Sequence, residues 1–395
     1  MSKCLKCGLN VLHGIELDDS GICNYCNTID KYSEILSKIG MQENLLRERL
    51  ESIHGKGEYD CIVGLSGGKD SSYIIYRLKS HYRVRVLAFT CDNGFLTDSA
   101  IKNINSIIKD FEIDHLWVKP DRKILHKLYA TNLKMDCMPC WACFHMAEAT
   151  IWRLAYEYDI PFIVSGRAPE QILRRPEKEF FESLTSIILD NLDHYNQERI
   201  QAIAKSTLGR FQQEKRWLLP ERFWRDAEGV LYLSEDFHIS DSFSPEFLYF
   251  FLYEKHDELK IMNILESETK WRGPTKKKLL SHNDCAAHDA AAFLYQKMYG
   301  VSFVELELSA MIRHKDINHV KLGKTIETSE HSPTPFPEES FVHLGKISGM
   351  SPTHLRLLPT WIKIKNAFKN KVKRFLMTSD VGKKILELIK VIRNQ

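Results

Sequence analysis

No stretch of about 18 apolar residues, the length that crosses a bilayer, occurs anywhere in the chain. The first residues, MSKCLKCG, are polar and cysteine-bearing where an export signal would carry an apolar core, so a cytoplasmic protein is expected. Neither sign of charge dominates: the formal net charge is +3 over 395 residues, which excludes holding nucleic acid by overall field and leaves any basic partner surface local. No internal repeat is present, nor a Walker A loop, which needs four residues between its first glycine and Gly-Lys. A nucleophile elbow or amino-terminal catalytic cysteine is also missing, so no glutaminase is expected within it. What the chain does hold is a 44% hydrophobic composition, enough for a sizeable core in two or three domains, and ten cysteines. Without an export signal, cysteines in a chain of this size point to metal, redox or catalytic use rather than disulfides.

Residues 1–30 carry four cysteines in two close pairs with glycine turns between, the pattern of a small metal-stapled module. A helical connector is expected over 31–57, where Ile35, Leu36, Ile39, Leu45, Leu46 and Leu50 share a face before His54 to Gly57 break it. From 58 to 174 short apolar strands (CIVGL, VRVLAFT, HLWVKP, FIVSG) alternate with helical stretches, which predicts an α/β fold built on a doubly wound parallel sheet. Residues 175–270 are aromatic and charged without a clear period and read as an irregular helical insertion or lid. Helical character returns over 271–330 on the substrate side, and 331–395 read as a linker and a basic amphipathic tail.

The string Leu65-Ser66-Gly67-Gly68-Lys69-Asp70-Ser71-Ser72 follows the strand CIVGL and precedes the helical run YIIYRLK. Paired glycines let backbone approach phosphate oxygens, and the free N–H groups of a helix start supply an anion site. Lys69 can add a point charge for a leaving pyrophosphate, Asp70 can hold magnesium, and Ser66 and Ser71 can donate hydroxyl hydrogen bonds.

Cys4 and Cys7 form one C-x-x-C pair and Cys23 and Cys26 another, fifteen residues apart (8–22), which predicts a closed structural zinc site. Cys137, Cys140 and Cys143 lie in DCMPCWACF, with Cys285 far away in HNDCAAHD. Cys140, Cys143 and Cys285 fit an iron–sulfur cluster with one open iron, a sulfur-carrying thiolate, or plain packing beside Trp141 and Phe144. His282, Asp284, His288 and Asp289 crowd the same segment as candidate bases or ligands, and Glu170 and Gln171 are weaker candidates.

In its strand–loop–helix setting, SGGKDS resembles the PP-loop of the adenine nucleotide alpha-hydrolase-like superfamily, whose members cleave ATP to AMP and pyrophosphate. The resemblance implies a HUP-like sheet, ATP and Mg2+ as ligands, adenine near Thr90, Cys91, Asp92 and Asn93, and an α-phosphate near Gly166, where Arg167 replaces the more usual His. The string CLKCGLN…GIELDDSGICNYC, a helix, and YDCIVGLSGGKDSSY together resemble bacterial N-acetyl sugar amidotransferases of surface-polysaccharide and nonulosonic-acid pathways over residues 1 to about 170, with a fainter likeness in YGVSFVELELSAMIRHKDI. That resemblance implies adenylation of an acetamido oxygen on a nucleotide-linked N-acetyl sugar, then replacement by ammonia from a separate glutaminase. RAPEQ after Gly166 departs from that family's acidic-Asn pattern, and 175–270 has no counterpart in it. The layout of Cys140, Cys143 and Cys285 is also similar to that of PP-loop tRNA thiolases, which implies a [4Fe-4S] cluster, a sulfur donor protein and a tRNA substrate. An ATP-binding sensor without turnover is the third reading.

From Trp361 to Gln395 ten Lys and Arg residues face only Asp380 and Glu387, interleaved with Trp361, Ile362, Ile364, Phe368, Val372, Phe375 and Leu376. Such a helix can rest on anionic lipid, line an RNA groove, or pack on its own protein.

Overall fold

The structure is a computed structural model that describes residues 2–118, 122–174, 245–274, 284–302, 304–314 and 336–378. Its centre is a five-stranded, all-parallel sheet of β1 (Cys61–Gly64), β2 (Val86–Cys91), β3 (Asp114–Val118), β4 (Phe162–Ser165) and β5 (Glu246–Tyr249), in the order β3-β2-β1-β4-β5. Alternation with period two explains why both faces are covered. Cys61 and Val63, with Val86 and Ala88, face one core that also takes Ile74, Ile75, Ile104, Ile107 and Phe251. Ile62, Leu87 and Ile163 face the other, closed by Trp152, Leu154 and Ala155.

The helices that make these cores are α1 (Asn24–Lys31), α2 (Ser33–Ser37), α3 (Glu43–Ile53), α4 (Lys69–Arg77), α5 (Asp98–Phe111), α6 (Arg122–Asp136), α7 (Cys140–Glu157) and α8 (Pro169–Leu173). After β5 come α9 (Glu258–Glu268), α10 (His288–Tyr299), α11 (Val304–Arg313), α12 (Glu338–Ser348) and α13 (Pro352–Thr378). Helices α6, α10, α12 and α13 enclose a separate helical core of Tyr129, Leu133, Phe293, Leu294, Phe341, Leu344, Leu355 and Leu358. The four amino-terminal cysteines share a fourth cluster with Val304, Leu306, Leu308 and Ile312 of α11.

Two local expectations change. The connector is not one helix: Gly40 breaks it at φ +74°, because a Cβ there would lie 2.9 Å from Lys255 Cα, and Gly40 and Gln42 N–H donate to the Leu252 and Tyr253 carbonyls. The stretch read as irregular and helical contributes a strand at 246–249, in register with β4 from Phe162↔Glu246 to Ser165↔Tyr249. Its EFLY sequence is too short for periodicity to show it; pairing with β4 decides its conformation. The remainder of that insertion (175–244), His282, and the tail beyond 378 lie outside the described residues.

Candidate functional site: a phosphate loop at the sheet's switch point

Chain order along the sheet reverses at β1, which lies between β2 and β4, and the loop after β1 opens onto the crevice at the strands' carboxyl ends. Thr90 and Asn103 set the loop's course from behind. The buried Thr90 hydroxyl donates to the Leu65 carbonyl (2.6 Å) and is also paired with His115 Nε2 (2.8 Å), so it braces the loop and is not a free contact for a base. Gly67 adopts φ +79°, and a Cβ on it would lie 2.4 Å from the Ala100 carbonyl oxygen, so only glycine fits. Its own carbonyl accepts from Asn103 Nδ2 (3.1 Å) and Trp271 Nε1 (3.0 Å), both buried. Helix α4 then starts at Lys69, and the N–H groups of Lys69, Asp70 and Ser71 lie in its first turn, where no intrahelical acceptor exists. Ser66 and Ser71 are joined through their hydroxyls at 3.3 Å; Ser72 is buried in α4 and takes no part in the opening.

A cleft of about 270 Å3 lies against this turn, lined by Ser66, Gly68, Lys69, Asp70, Gly166 and Arg167, and by Asp284, whose Oδ2 would lie 3.0 Å from a Cβ on Gly68. Gly166 matters because a Cβ there would press on Ile74 at 3.0 Å and crowd the start of α4. Arg167 lies with its guanidinium 4.4 Å from the Phe144 ring centroid, which holds it at the rim.

Behind the loop runs a buried chain of charges. Lys69 Nζ lies 3.2 Å from Asp70 Oδ2 and 3.3 Å from Glu258 Oε1. Asp70 Oδ1 faces His256 Nε2 at 3.0 Å, and His256 Nδ1 lies 3.4 Å from Glu170 Oε1. Burial works against charge on Lys69, but Asp70 and Glu258 outweigh it and hold the ammonium protonated. Burial likewise opposes ionisation of Asp70, and Lys69 and His256 reverse that, keeping its carboxyl well below the usual range. His256 is raised, burial being overcome by its hydrogen bond to Asp70, while Glu170 is raised by burial itself. Sequence reading singled out Lys69 and Asp70 and missed His256, Glu258, Asn103 and Trp271, because these carry no motif spacing and reach the loop only through the fold. Asp70 and Asp284, hard oxygen donors that both line the cleft at this helix start, suit a magnesium ion carried on phosphate.

At the end of β2, Asp92 Oδ1 accepts from Gly94 N–H (3.2 Å) and Asn93 Oδ1 from Phe95 N–H (2.9 Å), so both side chains shape the turn. Cys91 Sγ lies 3.5 Å from Thr150 Oγ1. Asn93 Nδ2 reaches Cys143 Sγ at 3.5 Å, and the Tyr129 hydroxyl reaches the same sulfur at 2.8 Å. Cys143 thus sits against Tyr129, and Cys140 and Cys285 also act on its charge, but among the described residues the group with ligand atoms within 4.8 Å of one another is Cys4, Cys7, Cys23 and Cys26 and not these three. Burial and the neighbouring thiol push Cys143 and Cys285 each up to about 12. Cys137 is wholly buried in the helical core and packs there. His288 pairs with Asp289 at 3.2 Å, away from the residues that line the cleft.

The second candidate centre is the cysteine module. Cys4 and Cys26 sulfurs stand 3.8 Å apart, as do those of Cys7 and Cys23, and all four lie within 4.8 Å of one another. Four thiolates at about 2.3 Å from one tetrahedral ion have an edge of about 3.8 Å, so this geometry fits a single metal and not disulfides. Amide N–H groups of Cys23 and Cys26 point at Cys4 and Cys23 sulfurs (3.3 and 3.4 Å). Arg313 Nη1 reaches Cys7 Sγ at 3.4 Å, while its Nη2 donates to the Leu173 and Arg174 carbonyls at 3.1 and 3.2 Å. Through that one guanidinium the module grips the end of α8, whose first turn carries Glu170.

No protein-family model matches the chain. Among curated proteins it is similar to an uncharacterized protein, MJ1599, of Methanocaldococcus jannaschii, at 26% identity over 152 residues, 38% of this chain and 53% of that protein. The chain thus spans about half the length of the curated relative it matches. Similar solved structures include the U34-tRNA thiolase NcsA from Methanococcus maripaludis with its [4Fe-4S] cluster (14% identity, TM-score 0.32, covering 85% of this chain and 92% of that one). Another is an NMN synthetase from Francisella tularensis (14%, TM-score 0.30, 74% and 94%), and a third an NH3-dependent NAD synthetase from Campylobacter jejuni (10%, TM-score 0.27, 49% and 89%). Superpositions this loose leave the chemistry to be argued from the chain's own residues.

Proposed function

We propose that the protein is an ATP pyrophosphatase of the PP-loop kind, which adenylates a carbonyl oxygen of its substrate and releases pyrophosphate. The observation that carries this reading is the glycine-only turn at Gly67 delivering the first turn of α4, with Lys69 and Asp70, to the switch-point crevice. First-turn N–H groups and the Ser66 and Ser71 hydroxyls cradle the leaving phosphates, and Lys69 keeps its charge throughout. Asp70 and Asp284, which both line the cleft, would hold magnesium, which would supply charge neutralisation to the phosphates. The substrate carbonyl oxygen attacks the α-phosphorus, the bond from that phosphorus to the bridging oxygen breaks, and pyrophosphate departs.

For the second half we favour replacement of the adenylated oxygen by nitrogen, on an N-acetyl sugar carried by a nucleotide. Ammonia adds to the activated carbon, AMP leaves with the original oxygen, and one proton is lost, giving an acetamidino group. The two C-x-x-C pairs set ahead of the strand and SGGKDS loop, the arrangement that resembles the N-acetyl sugar amidotransferases, support nitrogen as the inserted atom. The Cys143 sulfur 2.8 Å from the Tyr129 hydroxyl, with Cys140 one helical turn away in sequence, supports thiolation as a second reading. Incubating the protein with ATP, ammonium and nucleotide-linked N-acetyl sugars, or with sulfide and tRNA, and following AMP and product mass separates them. Product in the second mixture alone contradicts amidation, and AMP formation in neither contradicts the pyrophosphatase reading.

A further inference from the structure

Helix α13 carries two apolar faces of different fate. Leu355, Leu358 and Ile362 are buried (0, 5 and 4% exposed) and close the helical core beneath it. Leu357, Trp361, Ile364 and Phe368 are 49, 64, 60 and 70% exposed. At 3.6 residues per turn these four positions fall within an arc of about 60° and a length of about 16 Å, so they form one outward ridge. Single exposed apolar residues are ordinary, but a contiguous ridge with two large aromatic rings is not. Lys365 and Lys363 are exposed and flank the ridge, about 40° and 100° beyond its two edges, and from Pro352 to Thr378 the helix contains no Asp or Glu.

We propose that this ridge is a docking face for an anionic lipid surface, on which α13 lies in the plane of the headgroups. Its charge selects that occupant. A second copy of the chain would bring one acid-free, lysine-bearing face against another, and like charges across the contact would oppose it. A single-stranded nucleic acid would use the lysines and stack on Trp361 and Phe368, but it leaves Leu357 and Ile364 without a role. A membrane interface takes all of them: aliphatic and aromatic side chains enter the acyl boundary, Trp361 sits at headgroup level, and the lysines meet lipid phosphates. No helix among the described residues is long and apolar enough to cross a membrane, so the contact is one of lying on the surface. This face is separate from the phosphate cleft, so the proposal stands or falls independently of the ATP chemistry.

The test is co-sedimentation of the full chain with phosphatidylcholine vesicles, with and without phosphatidylglycerol, at low and moderate salt. Binding is expected only to the anionic vesicles, weakening with salt. It should fall by about tenfold or more in a Trp361→Ser, Phe368→Ser double variant and, separately, in Lys363→Glu, Lys365→Glu. All four side chains are exposed, so unchanged thermal unfolding and unchanged ATP turnover in solution are expected alongside. Absence of vesicle binding by the parent chain, or variants that bind as it does, would overturn the proposal. So would substitutions that leave vesicle binding intact while abolishing self-association in sedimentation velocity, or tRNA binding in a gel shift.

Discussion

Asp70 uses each carboxylate oxygen differently: Oδ2 faces Lys69 and Oδ1 faces His256, which is backed in turn by Glu170. A carboxylate held on both sides keeps one orientation toward a metal on the phosphates, so His256 is a positioning residue. His256→Leu is expected to reduce ATP turnover by about 10–100-fold, chiefly through a raised magnesium requirement, with His256→Gln recovering part of it through the retained hydrogen bond. Equal loss at saturating magnesium in both variants would contradict a positioning role. Glu307 offers a test by pH. Burial pushes its carboxyl up to about 7, only partly offset by Arg174 at 3.5 Å. A carboxyl raised on folding stabilises the fold below its unfolded value near 4.5, and that contribution is lost as pH climbs through about 7. Unfolding free energy should therefore fall by at most about 3 kcal/mol across that window at 1.36 kcal/mol per unit, and Glu307→Gln should flatten the fall. Parallel denaturation curves for the two proteins from acid to neutral pH would contradict it.

Among elements, the strand–loop–helix unit was the most legible in the sequence, because its chemistry is local: an apolar run, two glycines and a helical run adjoin in the chain. The same holds for the two C-x-x-C pairs, whose spacing alone implies a tetrahedral site. What stayed hidden depends on distant pairing. β5 takes its conformation from β4, the break at Gly40 comes from Lys255, and His256 reaches the loop from a stretch without period, as Trp271 does from the residue just after it. Gly67→Ala should cost about 2 kcal/mol or more, from positive φ and the encounter with the Ala100 carbonyl, and should also reduce ATP turnover. Urea denaturation showing a change within about 0.5 kcal/mol would mean that the turn is not under the constraint described. Cys4→Ser should release the bound metal and lower the thermal midpoint, since a closed site contributes folding energy directly. It should also weaken ATP turnover through Arg313 and α8, whereas metal loss with unaltered turnover would cut that link.

At the scale of the whole molecule, a buried ion chain joins the loop to α8 and α9, and one guanidinium joins α8 to the cysteine module. The acceptor was not legible in the sequence and is not set by the loop, because adenylation needs only a carbonyl oxygen placed in line with the α-phosphorus. The central claim, α–β cleavage of ATP at the Gly67–Asp70 turn, is independent of which acceptor is used. Its most direct measurement is exchange of labelled pyrophosphate into ATP, together with AMP formation, for the parent chain and for Lys69→Ala. Pyrophosphate-linked AMP formation is expected from the parent chain, reduced by about 100-fold or more in Lys69→Ala with the fold intact. Formation of ADP and phosphate instead, or undiminished AMP formation by Lys69→Ala, would contradict it.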